Sequence, residues 1–148
     1  MRDVTLHQNP PTAVDLIIEI YDRKDGTMKG IVLIERGHEP YKGRKALPGG
    51  FQEMGDSLEY TAEKEAREET GLKVEIVAPL RVYSNPDRDP RGHVNAIGFV
   101  TRAYGTPHAG DDAAQAEVFS LDRIPHLLAF DHDKRIEEYL AWRETNQK

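Results

Sequence analysis

Ser57 to Thr70 (SLEYTAEKEAREET) constrains this chain more than any other stretch, because it reads as a helix with marked ends among segments that read as strands. Gly71 follows as a natural stop, since glycine adopts the left-handed conformation that closes a helix without a Cβ penalty. At the other end Asp56-Ser57-Leu58-Glu59 reads as a capping box, with Asp56 taking the exposed N–H groups of the first turn. Leu58, Ala62 and Ala66 give a narrow apolar stripe, so one face of the helix is expected to pack on a sheet. Just upstream, Ala46-Leu47-Pro48-Gly49-Gly50-Phe51 is apolar but broken by a proline and two glycines, a strand or turn whose backbone approaches something closely.

The same helix carries three acids whose placement calls for an explanation. At 100° per residue, with Glu65 at zero, Glu69 falls near about +40° and Glu68 near about −60°, an arc of roughly 100° bordering the apolar stripe. Lys64 precedes Glu68 by four positions and Glu63 precedes Arg67 by four, so a solvated face of paired charges is one account, at a few tenths of a kcal/mol per pair. Glu65 and Glu69, also four apart, repel by a similar amount. A divalent cation removes that conflict, and carboxylate oxygens on one helix face suit Mg²⁺ or Mn²⁺. The glycine pair at 49–50 strengthens this account, because a bare backbone there can approach an ion or a phosphate and offer a carbonyl.

Strand-like segments surround the helix. Ala13 to Tyr21 reads as a buried strand, and Gly30 to Glu35 returns after a turn at Asp25-Gly26. Val74 to Leu80 with Arg81 to Tyr83, then His93 to Tyr104, then Ala116 to Phe119 complete the set. Leu121 to Leu128 and Asp133 to Trp142 are expected to be helices. Strands, a helix, more strands and closing helices imply a mixed sheet covered by helices, in the α/β or α+β class. At 148 residues the expectation is a leader over 1–12 and one domain over 13–148. The net charge of −6 argues against nucleic acid as a partner, and no apolar run approaches the ~20 residues of a membrane span. Without cysteine there is no disulfide, zinc–thiolate site or cysteine nucleophile, which agrees with a reducing cytoplasm.

From Gly50 to Leu72 the chain resembles the Nudix box, G-x5-E-x7-R-E-U-x-E-E-x-G-U with U a bulky aliphatic, at every spacing. Asp56 stands where the family has Glu, Lys64 where it has Arg, and Ala66 is small for its slot. Both swaps keep the sign of the charge, but the shorter Asp and the unforked Lys loosen the pairing expected between them. Further matches are similar to the ADP-ribose pyrophosphatase subgroup: Pro40-Tyr41-x-Gly43 with Ala46 to Phe51, Tyr83 to His93, Gly110 to Ala113, and Leu128 to Asp133. Lys45 replaces a frequent Trp, and Gln115 falls where relatives often carry Glu.

The resemblance implies an α/β/α sandwich around a mixed sheet, with the box as loop–helix–loop. It implies Mg²⁺-dependent hydrolysis of a nucleoside diphosphate linked to another moiety, foremost ADP-ribose to AMP and ribose 5-phosphate. Triphosphates, dinucleoside polyphosphates or nucleotide sugars as substrates, and a non-catalytic ADP-ribose sensor, are the alternatives. By analogy Glu65, Glu68, Glu69 and the Gly49 carbonyl hold the metal, and the catalytic residues are Glu65, Glu69 and Glu117, the last being, with Asp112 and Glu65, a candidate base. Arg36, Arg88 and Arg91 are expected at phosphate and ribose, their guanidinium forks matching phosphate oxygens. Pairing of Arg88 and Arg91 with Asp87 and Asp89 is an equal alternative. Phe51, Tyr83 and Tyr21 are candidates for the flat partner of the base, each with a place in the core as its alternative, and Phe51 is counted among the substrate-binding residues. His93 and His132 read as structural or substrate-orienting. The resemblance further implies a homodimer.

Overall fold

The computed structural model describes residues 8–110 and 113–146. Its strands are β1 (Thr12–Tyr21), β2 (Met28–Arg36), β3 (Lys45–Ala46), β4 (Gly49–Phe51), β5 (Glu75–Tyr83), β6 (Asn95–Tyr104) and β7 (Ala113–Phe119), and its helices are α1 (Leu58–Thr70) and α2 (His132–Asn146). The strands form one seven-stranded sheet in the order β3-β2-β1-β6-β5, with β4 added to β1 and β7 to β2. β1 and β6 run parallel over Thr12–Tyr21, and the other pairs are antiparallel, so the sheet is mixed as expected.

Strand periodicity sorts β1 onto two faces. Val14, Leu16, Ile18 and Ile20 pack with Ala62 and Ala66 of α1, whereas Ile17 joins Ile31, Leu33, Val100, Ile136 and Tyr139 under α2. Helix, sheet and helix therefore make three layers with a core on each side of the sheet. Ser57 is the N-cap of α1, its hydroxyl accepting from the Tyr60 N–H at 3.0 Å, so the cap falls one residue after the expected Asp56. Gly71 closes the helix at φ 72°.

The sheet opens where the site will lie. β1 pairs with β2 only from Glu19 to Tyr21, and its first half turns to β4 instead, with Asp15 opposite Gly49 and Val14 opposite Gly50. The outer half of β2 takes β3 and β7 as neighbours. A gap is thereby left between Ala13 and Asp15 on one side and Ile34 and Arg36 on the other.

Two expectations are corrected. Leu121 to Leu128 is a run of turns and bends, not a helix, because Pro125 interrupts a segment already too short to sustain one. The strand expected at 116–119 begins at Ala113.

Candidate active site

The glycine pair is where backbone meets carboxylate. A Cβ on Gly49 would stand 2.0 Å from the Val14 carbonyl oxygen, so only glycine lets this turn lie against β1. A Cβ on Gly50 would stand 2.5 Å from Glu65 Cδ and 2.6 and 2.8 Å from its two oxygens. The Glu65 carboxylate thus rests on the bare face of Gly50. One turn further along α1, Glu69 is half-buried with its Oε2 fully enclosed, and it lines the cleft with both glycines. Glu68 is exposed and faces a separate groove with Tyr60, Lys64 and Arg67. The end of the helix is held by the 108–110 turn, where His108 and Gly110 donate backbone N–H bonds to the Thr70 and Glu69 carbonyls.

The cleft of about 170 Å³ that Glu69 lines also gathers Arg36, Arg88 and Arg91. Arg36 Nε donates to the Pro40 carbonyl at 2.6 Å, and burial together with the nearby Arg91 charge lowers its pKa, against the pull of Glu69. Arg91 grips Asp89 through Nε and Nη2 at 3.1 and 2.8 Å, and its guanidinium stands over Phe51 at 4.9 Å and Phe130 at 5.0 Å. Arg88 bonds Asp131 at 3.0 Å, not Asp87, so the local pairing weighed from sequence holds for Arg91 alone. Both arginines nevertheless line the cleft with their acids engaged.

Among the aromatic candidates, Phe51 lies in the cleft and is 40% exposed. Tyr83 donates to Glu138 and lies under Arg135, and Tyr21 bonds Glu19; neither lines the cleft. His93 Nε2 lies 3.0 Å from the Ser84 carbonyl, which leaves it a loop residue. Lys64 pairs with Glu53 at 3.2 Å, a bond that raises its pKa, so the family's paired positions 56 and 64 are joined here only at longer range.

Glu117 is placed elsewhere. It pairs in register with Leu33, whose side chain is under α2, and directly paired residues share a face. Its carboxylate bonds Lys45 at 3.5 Å beside Glu35 and Gln115, on the side of the sheet away from α1. Asp112 lies outside the described residues. The sequence reading missed Asp15, Asp89 and Phe130 as cleft residues and read His132 as structural or substrate-orienting; all four line the cleft.

A hard divalent cation fits this donor set in kind, since carboxylate oxygens and an unshielded glycine backbone are what such ions take. Among the described residues no three His, Asp or Glu side chains are close enough to hold an ion unaided. Such an ion would therefore keep several waters and share its remaining positions with phosphate oxygens.

The model of the NUDIX domain matches residues 10–142. An ADP-ribose pyrophosphatase of Methanocaldococcus jannaschii is 46% identical over 144 residues, 97% of this chain and 80% of that protein. A NUDIX hydrolase of Nitrosomonas europaea superposes with a TM-score of 0.80 at 26% identity, over 95% of this chain and 75% of the other. A bifunctional NMN adenylyltransferase/ADP-ribose pyrophosphatase of Francisella tularensis, in complex with AMP and a manganese ion, superposes at 0.71 and 25% identity over 92% of this chain and 42% of its own. The layered fold, the glycine-seated helix acids and these likenesses agree: the chain belongs to the NUDIX family.

Proposed function

We propose that this protein hydrolyses the pyrophosphate bond of a nucleoside diphosphate linked to another moiety, with ADP-ribose the leading substrate and AMP and ribose 5-phosphate the products. The observation that carries this reading is a single cleft lined by Glu69, the Gly49-Gly50 backbone and Arg36, Arg88 and Arg91 together. The relative of Methanocaldococcus jannaschii, named for that activity, supports it.

The charges divide the labour. Arg36, Arg88 and Arg91 attract a diphosphate and hold its oxygens through their forked donors. Glu65 and Glu69 repel it, so the pyrophosphate meets the acids only with its charge offset. Mg²⁺, with Mn²⁺ as substitute, in one or more ions shared among Glu65, Glu68, Glu69 and the Gly49 carbonyl with no ion taking all three side chains, would supply that offset and a more acidic bound water. Glu65, fixed against Gly50, takes the proton of the attacking water, being the one base candidate from the sequence that the described residues place beside the glycine turn. Phe51 offers an exposed ring for the base to stack on. Glu117, bonded to Lys45 on the other face, takes no part. A homodimer, from the resemblance, and a cytoplasmic location, from the absence of cysteine, complete the proposal. No helix among the described residues is long and apolar enough to cross a membrane.

The test is AMP or phosphate release with Mg²⁺ from ADP-ribose, nucleotide sugars, dinucleoside polyphosphates and triphosphates, repeated with Glu69→Gln. ADP-ribose is expected to be cleaved fastest, and the substitution to lower turnover at least ~100-fold, about 2.7 kcal/mol. Equal rates across the panel would remove the substrate assignment. Tight ADP-ribose binding without turnover under Mg²⁺ or Mn²⁺ would make the protein a sensor.

A further inference from the structure

Leu47 opens the segment that leads into Gly49 and Gly50, and its backbone N–H is buried between the end of β3 and the start of β4. Its partner is a side chain remote in sequence, the Nδ1 atom of His132 at 3.0 Å. A backbone N–H can only donate, so Nδ1 must accept and the neutral ring carries its proton on Nε2. Nε2 faces Asp15 Oδ1 at 3.5 Å, and Asp15 Oδ2 accepts from Arg135 Nη1 at 2.8 Å. His132 and Arg135 are 4% and 1% exposed, so each link is fixed by its neighbour at the floor of the cleft. Arg135 itself is held over the Tyr83 ring at 4.2 Å.

The rest of the segment is tied as closely. Ala129 donates to the Lys45 carbonyl at 2.9 Å, and Leu16 donates to the Pro48 carbonyl at 2.8 Å. Ala129, before α2, therefore clamps position 45 and His132, at the start of α2, clamps position 47, while β1 takes position 48. Without the imidazole, one buried donor at Leu47 loses its acceptor and the glycine turn loses an anchor two residues from Gly49.

We propose that His132, in the Nε2–H tautomer set by Asp15, is a positioning residue that fixes the Leu47–Gly50 backbone and, through it, the Gly49 carbonyl and the seat of Glu65 on Gly50. The proposal rests on reading the cleft as a hydrolytic site.

Wild type, His132→Asn and His132→Phe separate the roles: asparagine keeps an acceptor near the Nδ1 position, and phenylalanine keeps the ring volume without one. In metal-free, substrate-free protein, long-range ¹H–¹⁵N spectra are expected to show the Nε2–H tautomer for His132. Exchange of the Leu47 amide is expected to speed up at least about 10-fold in the Phe variant and to stay near wild type in the Asn variant. Hydrolysis of ADP-ribose should lose about 10- to 100-fold in kcat with Phe at nearly unchanged KM, and recover most of it with Asn. An Nδ1–H tautomer, unchanged Leu47 exchange in the Phe variant, or wild-type kcat in that variant would overturn the proposal. If the Phe variant does not fold, a protected Leu47 amide with near-normal kcat in the Asn variant supports it, and loss of both overturns it. A wild-type protein that cleaves no nucleotide refutes the hydrolytic reading, and the tautomer and exchange measurements still decide the hydrogen-bond chain.

Discussion

Gly50→Ala isolates the contact on which the proposed chemistry turns. Gly50 has no positive φ, so alanine is compatible with its backbone, and the clash is with one group only. The new Cβ would be 2.5 Å from Glu65 Cδ, while carbon atoms pack at about 3.5 Å, so the carboxylate must retreat by roughly 1 Å. It sits at the end of a flexible side chain, and that retreat is cheap: folding stability should change by no more than about 1 kcal/mol. Catalysis is less forgiving, because an error of about 1 Å in a reacting group costs on the order of 100-fold, or about 2.7 kcal/mol of barrier.

Gly49→Ala is the matched control. There the obstacle is the Val14 carbonyl oxygen at 2.0 Å, part of the central strand and unable to yield, so this variant should lose about 3 kcal/mol or more of stability. Urea unfolding of both variants and steady-state AMP release from ADP-ribose distinguish the outcomes. Gly50→Ala with kcat within about threefold of wild type would refute the claim that the seat of Glu65 matters. Gly50→Ala as unstable as Gly49→Ala would refute the reasoning about which atoms can move.

Asp15 gives a pH prediction: burial raises its pKa, but the hydrogen bond from His132 and the charges of Arg135 and Arg88 outweigh burial and hold it down at about 2 against an ordinary 3.8. Its stabilising contribution, about 2 kcal/mol, is present above pH 3.8 and fades as pH falls through about 2; urea unfolding from pH 5 to 2 should show this loss, and Asp15→Asn should flatten it. Arg91→Gln removes a fork from the cleft and should raise KM for ADP-ribose about 10-fold while changing kcat little, as read from steady-state kinetics. Glu117→Gln should leave kcat within about threefold and cost at most about 1 kcal/mol in urea unfolding, because its pair with Lys45 is solvent-exposed; a 100-fold loss of kcat would show that Glu117 reaches the reacting groups after all.

What the amino-acid order discloses is whatever repeats locally. The limits of α1, its stripe of Leu58, Ala62 and Ala66, and the demand for glycine at 49 and 50 are short-range matters, and all of them persist in the fold. Asp15, Phe130 and His132 have no such signature: the Leu47–His132 bond spans 85 positions and the Asp15–Arg135 bond 120, and no period links them. Glu117 lies between these cases. Ala116 and Val118 alternate with Gln115 and Glu117, which already sets the polar pair on the other side of β7 from the apolar pair. Only the register with Val32 and Leu33 tells that the apolar side is the one toward α1.

The three helix acids can be ranked by the same geometry. The apolar stripe covers about +20° to +100° on the helical wheel, so Glu69 near about +40° falls within it, Glu65 at its edge, and Glu68 near about −60° well outside. A cleft formed where α1 meets the sheet must then take Glu69 deepest, and Glu69 is the acid with an enclosed oxygen. Glu65 lands on the glycine that borders the cleft, and Glu68 is left at the solvent edge beside Lys64. Ions on these acids would therefore lie between the interior and the surface, the inner ones set by the helix and the outer ones open to water. Substitutions should therefore impair metal binding in the order Glu69, Glu65, Glu68, a gradient that follows from the pitch of one helix against one sheet.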